Sequence, residues 1–478
     1  MDADAQTPPG DTAGAAAIAA RFARILGEQH VLTPATGDLT PYGRGRGFTP
    51  ATAPALVLRP GTARELADAL GLATETGTTV VARGGGYSVG GYAYPPGDPV
   101  AVIDTRRLDR VIGIDRENLT VTAEAGILNG DLTAAVAEAG LRVQTVAVPV
   151  RHTTLGGSLS GVVGAGVPAR SSVTGGNVQD VAGLLVALPT GALLRTGAGG
   201  ANVHATTDAF PGLGGPNLTG LFLGDGGVLG IKAEATMCLE PLPPAAGGSA
   251  WAFPGEDAAW GALTELMGLV DLPYVSLGVS PRPEWTMLAR TEADSPDALT
   301  RKLAAIEAVV ARWGGILGAD EYRAEAIAMG EPGGAWAEVF LEQRREIVAF
   351  VSPRTGYRTL FRDLVAYAGA RAAELGLADL VSLHPYYAPH GRHAIYTTLS
   401  LVADAEPGER AGSLVQLMHD CVRFLTTRGA ATEFHQGATS QLAAEGWSDD
   451  YRRVIGALRR AFDPAGILNP GVWERHPT

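Results

Sequence analysis

The chain is poor in cysteine, in lysine and in long apolar runs. Only Cys238 and Cys421 occur in 478 residues. Two distant cysteines make no disulfide framework and no zinc site of their own, and a reducing, cytoplasmic location is the expectation. Lysine stands only at Lys232 and Lys302, and the formal net charge is −13. With no basic block, neither nucleic acid nor an anionic membrane surface is an expected partner. No apolar stretch is long enough to span a bilayer. Residues 1–20 are acidic and then alanine-rich, without the basic start of a signal peptide.

Glycine, by contrast, is abundant: 64 residues, in short separated clusters. Clusters of this kind read as tight turns gathered around a ligand, unlike a low-complexity tract. The length implies two or three domains. Residues 1–49 read as an N-terminal arm. A regular pattern begins at Ala55, and residues 50–242 form the first domain. Ala55–Pro60 is a short strand. Thr62 followed by Glu65 has capping-box spacing, so Ala63–Thr76 is a helix closed by Gly77. Thr79–Ala82 is the next strand. The run Pro241–Gly248 marks a boundary. Residues 243–440 have longer helices and less glycine, and read as an α+β domain with an antiparallel sheet. Residues 441–478 carry a last helix and a heavily punctuated tail that returns to the first domain.

The strand at 79–82 runs into Arg83-Gly84-Gly85-Gly86-Tyr87-Ser88. Three glycines cost conformational entropy, but they leave a row of backbone N–H groups with no Cβ in the way, the arrangement that holds phosphate. In a Rossmann unit the glycines lie between the first strand and its helix. Here they follow the second strand, and Val89–Gly97 has no helical period, so a nicotinamide-type fold is disfavoured. Further clusters follow at Thr154-Leu155-Gly156-Gly157-Ser158-Leu159, at Gly164 and Gly166, at Gly175, and at Gly224–Ile231. The chain closes on Asp463-Pro464, then Ile467-Leu468-Asn469-Pro470-Gly471.

Four of these, the Arg83 loop, the Thr154–Gly157 cluster, the block ending in Gly224–Ile231 and the closing Asp463–Gly471, in this order resemble the FAD-linked oxidase family with the vanillyl-alcohol oxidase / p-cresol methylhydroxylase (PCMH) type of FAD-binding domain. The resemblance runs from about residue 26 to the end. It implies an α+β architecture, a two-lobed PCMH-type FAD-binding domain plus an α+β substrate (cap) domain. It also implies that Arg83, Gly84, Gly85, Gly86, Tyr87 and Ser88 wrap the pyrophosphate. Leu155, Gly156, Gly157, Ser158, Leu159, Gly164 and Gly166 would line its other side and the flavin edge, with Gly175 further along the same lobe. Val228, Gly230 and Ile231 would meet the ribose–adenine end, and Asn469 the flavin ring. Many members attach the flavin through a histidine where this chain has Tyr87, and no cysteine lies in 150–180 to make the second known link. Non-covalent FAD is the implied state, with a tyrosyl link at Tyr87 as the alternative.

FAD brings the redox chemistry, and the protein must place a substrate and manage a proton. His384–Tyr396 is the richest stretch for that. His390 or His393, and otherwise Tyr386 or Tyr396, is the expected base, and Arg392 could hold a carboxylate bidentately. A metal held by His384, His390 and His393 is the alternative reading, but the acidic partners of metal-binding relatives are missing. His435, Arg354, Tyr357 and His152 are secondary candidates. The implied activity is hydride transfer from a small-molecule alcohol or 2-hydroxy acid to flavin N5, with oxygen or another acceptor reoxidising the flavin. Alternatives are an oxidase of phenolic or secondary-metabolite substrates, a non-redox flavin-dependent synthase or lyase, and a non-catalytic flavin-binding protein.

Overall fold

The computed structural model describes residues 12–45, 47–48, 52–87, 100–143, 150–161, 180–205, 207–210, 215–269, 274–281, 284–328, 345–391, 393–403, 407–432 and 437–473. Three sheets organise them.

Val31–Leu32 (β1), Leu56–Leu58 (β2), Thr79–Arg83 (β3) and Val100–Asp104 (β4) form a four-stranded sheet ordered β1-β2-β4-β3. β2 and β3 both run parallel to β4, so a crossover must join them. The helix Ala63–Thr76 supplies it. Thr62 caps its start by accepting from Glu65 N–H at 3.1 Å, and the Glu65 carboxylate takes Gly61 N–H at 2.7 Å. Gly77 ends it at φ 66°. Leu66, Leu70 and Ala73 on its inner face are fully buried.

Val111–Asp115 (β5), Thr120–Glu124 (β6), Leu141–Val143 (β7), Val181–Ala187 (β8), Leu193–Arg195 (β9) and Ile231–Pro241 (β10) form the second sheet, ordered β5-β6-β10-β8-β9 with β7 also on β10. All its pairs are antiparallel.

Three residues later the chain enters the third sheet. Its strands are Ala245–Phe253 (β11), Tyr274–Pro281 (β12), Trp285–Ala293 (β13), Ile316–Leu317 (β14), Arg345–Pro353 (β15), Val381–His390 (β16), Ala394–Ala403 (β17) and Ala431–Thr432 (β18). They lie antiparallel in the order β14-β11-β13-β12-β16-β17-β15-β18. The α+β class with antiparallel sheets, expected from the sequence, is the observed one. Helices Glu256–Gly268, Pro296–Arg312, Tyr357–Glu374 and Ala411–Thr426 cover one face. There Leu263, Val310, Phe350, Leu364, Leu399 and Leu417 join one buried cluster. Each such side chain contributes about 1.5–3 kcal/mol relative to exposure. On the other face the helix Asp320–Ala328 covers only the β11–β13 end, where Ala326 packs on Ala250 and Leu288.

The last helix, Asp449–Phe462, starts at the Ser448 cap. After it the buried Asp463 carboxylate accepts the N–H groups of Ile467 and Leu468, at 3.1 and 2.8 Å. This turns residues 467–469 along the free edge of β3, where Val80 pairs with Leu468 in parallel. Among the described residues no helix is long and apolar enough to cross a membrane.

Candidate active site

β3 delivers the glycine loop against the segment 152–158. A Cβ on Gly85 would stand 1.7 Å from the His152 carbonyl oxygen, and one on Gly84 would stand 2.1 Å from Thr154 Oγ1. Two backbones are pressed together here, and only glycine fits. The N–H groups of Gly84, Gly85 and Gly86 donate to no described residue. Three consecutive free donors on a rigid strand end are what a phosphate requires. The Arg83 guanidinium folds back over this loop: it donates to the Gly84 carbonyl at 3.4 Å, a Cβ on Gly86 would stand 2.1 Å from its Nη2, and it also reaches the Pro41 carbonyl at 3.3 Å and lies 5.4 Å from the Tyr42 ring centre. The Tyr87 ring stands 6.4 Å from that of His152.

Residues 155–161 fold as a short helix in spite of Gly156 and Gly157. Leu155 and Gly156 donate to the carbonyls of Ile127 and Ala125, at 3.0 and 2.7 Å. The fully buried Asn129 donates to Thr153 Oγ1 and Ser158 Oγ, at 2.9 and 2.8 Å. At the end of this helix Leu159 and Ser160 accept from Gly224 and Gly226. The Gly224–Gly227 turn is held from beneath by a buried ion pair, Lys232 Nζ to Asp225 Oδ1 at 2.6 Å. Burial pushes the Asp225 carboxyl up, and Lys232 opposes that push. Val228 is buried, a Cβ on Gly230 would meet Val186 Cγ1 at 2.5 Å, and Ile231 opens β10 opposite Ala187. Asn469 joins these parts. Its Oδ1 accepts from Ala82 N–H at 3.0 Å, and its Nδ2 donates to the Gly226 carbonyl at 2.8 Å. Ser88, Gly164, Gly166, Gly175, Arg392 and His435 lie outside the described residues.

The stretch 384–396 is the tip of a long hairpin, β16 ending at His390 and β17 beginning at Ala394. Register puts Tyr386 opposite Thr398, Ala388 opposite Tyr396 and His390 opposite Ala394. Side chains alternate along a strand. Tyr387 and Thr397 therefore point into the helix-covered core, while His384, Tyr386, His390, Tyr396 and Thr398 share the other face. His390 is half-buried; His384 and His393 are exposed. Nδ1 of His390 is buried and meets no described partner. Burial alone holds its pKa below the usual value, so its imidazole is neutral at pH 7. Six strand residues separate His384 from His390, roughly 20 Å, too far to share an ion. Among the described residues no group of three or more His, Cys, Asp or Glu side chains is arranged for a metal.

Tyr357, a secondary candidate, lies apart from that face. Its hydroxyl is buried on the helix side, 2.7 Å from Thr397 Oγ1, with its ring stacked on Trp260. It lies in the helix-covered core, and burial raises its pKa well above the ordinary phenol value.

Residues 54–197 match the model of a family described as an FAD binding domain. An uncharacterised FAD-linked oxidoreductase of Mycobacterium tuberculosis is 27% identical across 95% of this chain and 98% of its own length. Crystalline p-cresol methylhydroxylase with substrate bound shares the fold at TM-score 0.80 and 17% identity, over 97% of this chain and 98% of that one. Residues 54–197 thus carry an FAD binding domain, and the whole chain is similar to FAD-linked oxidoreductases. The glycolate oxidase subunit GlcD of Bacillus subtilis is also similar, 24% identical across 87% of this chain and 88% of its own. The glycine cradle and its free amides fit the dinucleotide that the family binds. Sequence reasoning passed over Asn129 and the Asp225–Lys232 pair. Lys232 carried one available signal: it is one of two lysines in the chain and stands seven residues from an aspartate.

Proposed function

We propose that this protein binds FAD non-covalently and oxidises a small-molecule alcohol or 2-hydroxy acid. When bound, FAD supplies the hydride acceptor. The chain's own residues do the rest. Backbone N–H groups of Gly84–Gly86 hold the pyrophosphate, with Leu155–Leu159 and Val228–Ile231 lining the cradle around it. The open face of the third sheet covers the flavin. On it His390 accepts the hydroxyl proton at its imidazole nitrogen, and Tyr386 and Tyr396 orient the substrate oxygen by hydrogen bonding.

One observation carries this reading: His390 is half-buried on the face that no described helix covers at that end, with a free Nδ1 and a pKa lowered by burial. A neutral imidazole in such a place is poised to take a proton. The GlcD relative, named for glycolate, supports a 2-hydroxy acid. The two tyrosines on the same face favour phenolic alcohols as the second substrate class.

The test is spectroscopic. Purified protein should be yellow, lose all its flavin on acid precipitation, and bleach anaerobically with a 2-hydroxy acid or an alcohol. Flavin that stays with the precipitate would point to a bond at Tyr87. A yellow protein that no hydroxy acid, aliphatic alcohol or phenolic alcohol bleaches would contradict the proposed reaction.

A further inference from the structure

We infer that Asn469 is a positioning residue: its side-chain amide ties the end of β3 to the Gly224–Gly227 turn and so sets where the free amides of Gly84–Gly86 stand. The inference rests on the FAD reading above and gives Asn469 a role other than touching the flavin ring.

The returning C-terminal chain pairs with the open edge of β3 for two rungs. Val80 N–H donates to the Ile467 carbonyl, and Asn469 N–H donates to the Val80 carbonyl, both at 2.8 Å. The next donor on that edge is Ala82 N–H, but the main chain turns at the left-handed Asn469, whose carbonyl accepts from Val472 N–H at 3.3 Å. Asn469 Oδ1 supplies the missing acceptor at 3.0 Å. Gly84 is the next residue of the same parity, and its N–H is the first one left unbonded. The ladder thus ends one rung short of the cradle, and an amide side chain fixes the last rung.

The other half of the same amide reaches across the site. Nδ2 donates to the Gly226 carbonyl at 2.8 Å. A Cβ on Gly227 would come within 2.5 Å of that nitrogen, so the turn is shaped to the asparagine. Asn469 itself is 6% exposed and adopts φ 39°, a left-handed conformation that asparagine tolerates better than most residues. Aspartate could offer the acceptor but not the donor, and alanine neither. Asp463 prepares the approach by taking the N–H groups of Ile467 and Leu468.

Three variants of the full chain test this. Asn469→Gly keeps the left-handed backbone unstrained and deletes both amide bonds. Asn469→Asp keeps the acceptor for Ala82 and sets a carboxylate against the Gly226 carbonyl. Gln441→Ala removes a different tie on the same segment, Gln441 Nε2 to the Gly471 carbonyl at 2.6 Å. FAD affinity is read by flavin fluorescence titration and the bound flavin by its visible absorption and circular dichroism.

The expected result is a dissociation constant raised about tenfold or more in Asn469→Gly, from two lost hydrogen bonds. Asn469→Asp should raise it too and shift the bound-flavin spectrum, while Gln441→Ala stays within twofold of wild type. Folded Asn469→Gly with wild-type affinity would overturn the inference. So would an equal loss in Gln441→Ala, since that would mean general loosening of the segment. Should Asn469→Gly fail to fold, an unchanged spectrum and affinity in Asn469→Asp overturns it equally. A wild type that takes up no FAD would instead sink the cofactor reading, before any variant is compared.

Discussion

The Arg142 guanidinium on β7 donates to the Glu292 carboxylate on β13 at 2.5 Å, joining the second sheet to the third. It also donates to Glu240 near the end of β10, at 3.1 Å, two residues before the turn into β11. Both side chains of the cross-sheet pair are nearly buried, 12% and 9% exposed. Removing Arg142 leaves the buried Glu292 carboxylate with Arg290, at 3.6 Å, as its described partner. Arg142→Ala should therefore destabilise by about 1–3 kcal/mol. A double-mutant cycle with Glu292→Ala in urea should give a coupling above about 1 kcal/mol. Additive losses would mean that the pair does not brace the two sheets.

Gly85 makes a sharper prediction. Its missing Cβ is replaced by the His152 carbonyl oxygen, 1.7 Å away. Gly85→Ala must separate the β3 loop from the 152–154 segment, at a cost of about 1–3 kcal/mol. The variant should purify with flavin absorbance per protein reduced tenfold or more. A fully yellow Gly85→Ala protein would show that this contact does not shape the cradle.

Tyr357→Phe separates the two faces of the third sheet. The hydroxyl meets Thr397 in the helix-side core, so its loss should cost about 0.5–1.5 kcal/mol in the urea midpoint. Flavin reduction by substrate should stay within twofold of wild type. A large loss of rate with intact stability would return Tyr357 to the substrate side.

Much of the frame was legible because its signals are local. The valines of β3, the Thr62–Glu65 cap and the closing Gly77 read directly from neighbouring residues. The helix at Leu155–Gly161 was not legible. A glycine-rich segment forms it because distant carbonyls at Ala125 and Ile127 take its first N–H groups, and tertiary bonding overrides propensity. β16 was legible only at its start, where Leu380–Leu383 reads as a strand; Pro385 and Pro389 argue against its continuation to His390. Its described ladder with β12 is the single pair Val279–Tyr387, which leaves little on that edge for a missing N–H to break. The role of Asn469 could not be read at all: its two partners, Ala82 and Gly226, lie 387 and 243 residues away in sequence.

His390 gives the central prediction its pH sign. Burial lowers its pKa from the ordinary value of 6.5, so the proton-accepting form is full at neutral pH and is lost only as pH falls below that range. Anaerobic flavin reduction by a bleaching alcohol or 2-hydroxy acid should therefore rise with pH through the acid limb and be flat above about pH 6.5. The direct measurement is stopped-flow reduction in wild type and His390→Asn across this range. The account predicts a rate lower by a factor on the order of a hundred or more in the variant, with the acid limb gone and FAD affinity unchanged. Equal rates and the same acid limb in both proteins would contradict it.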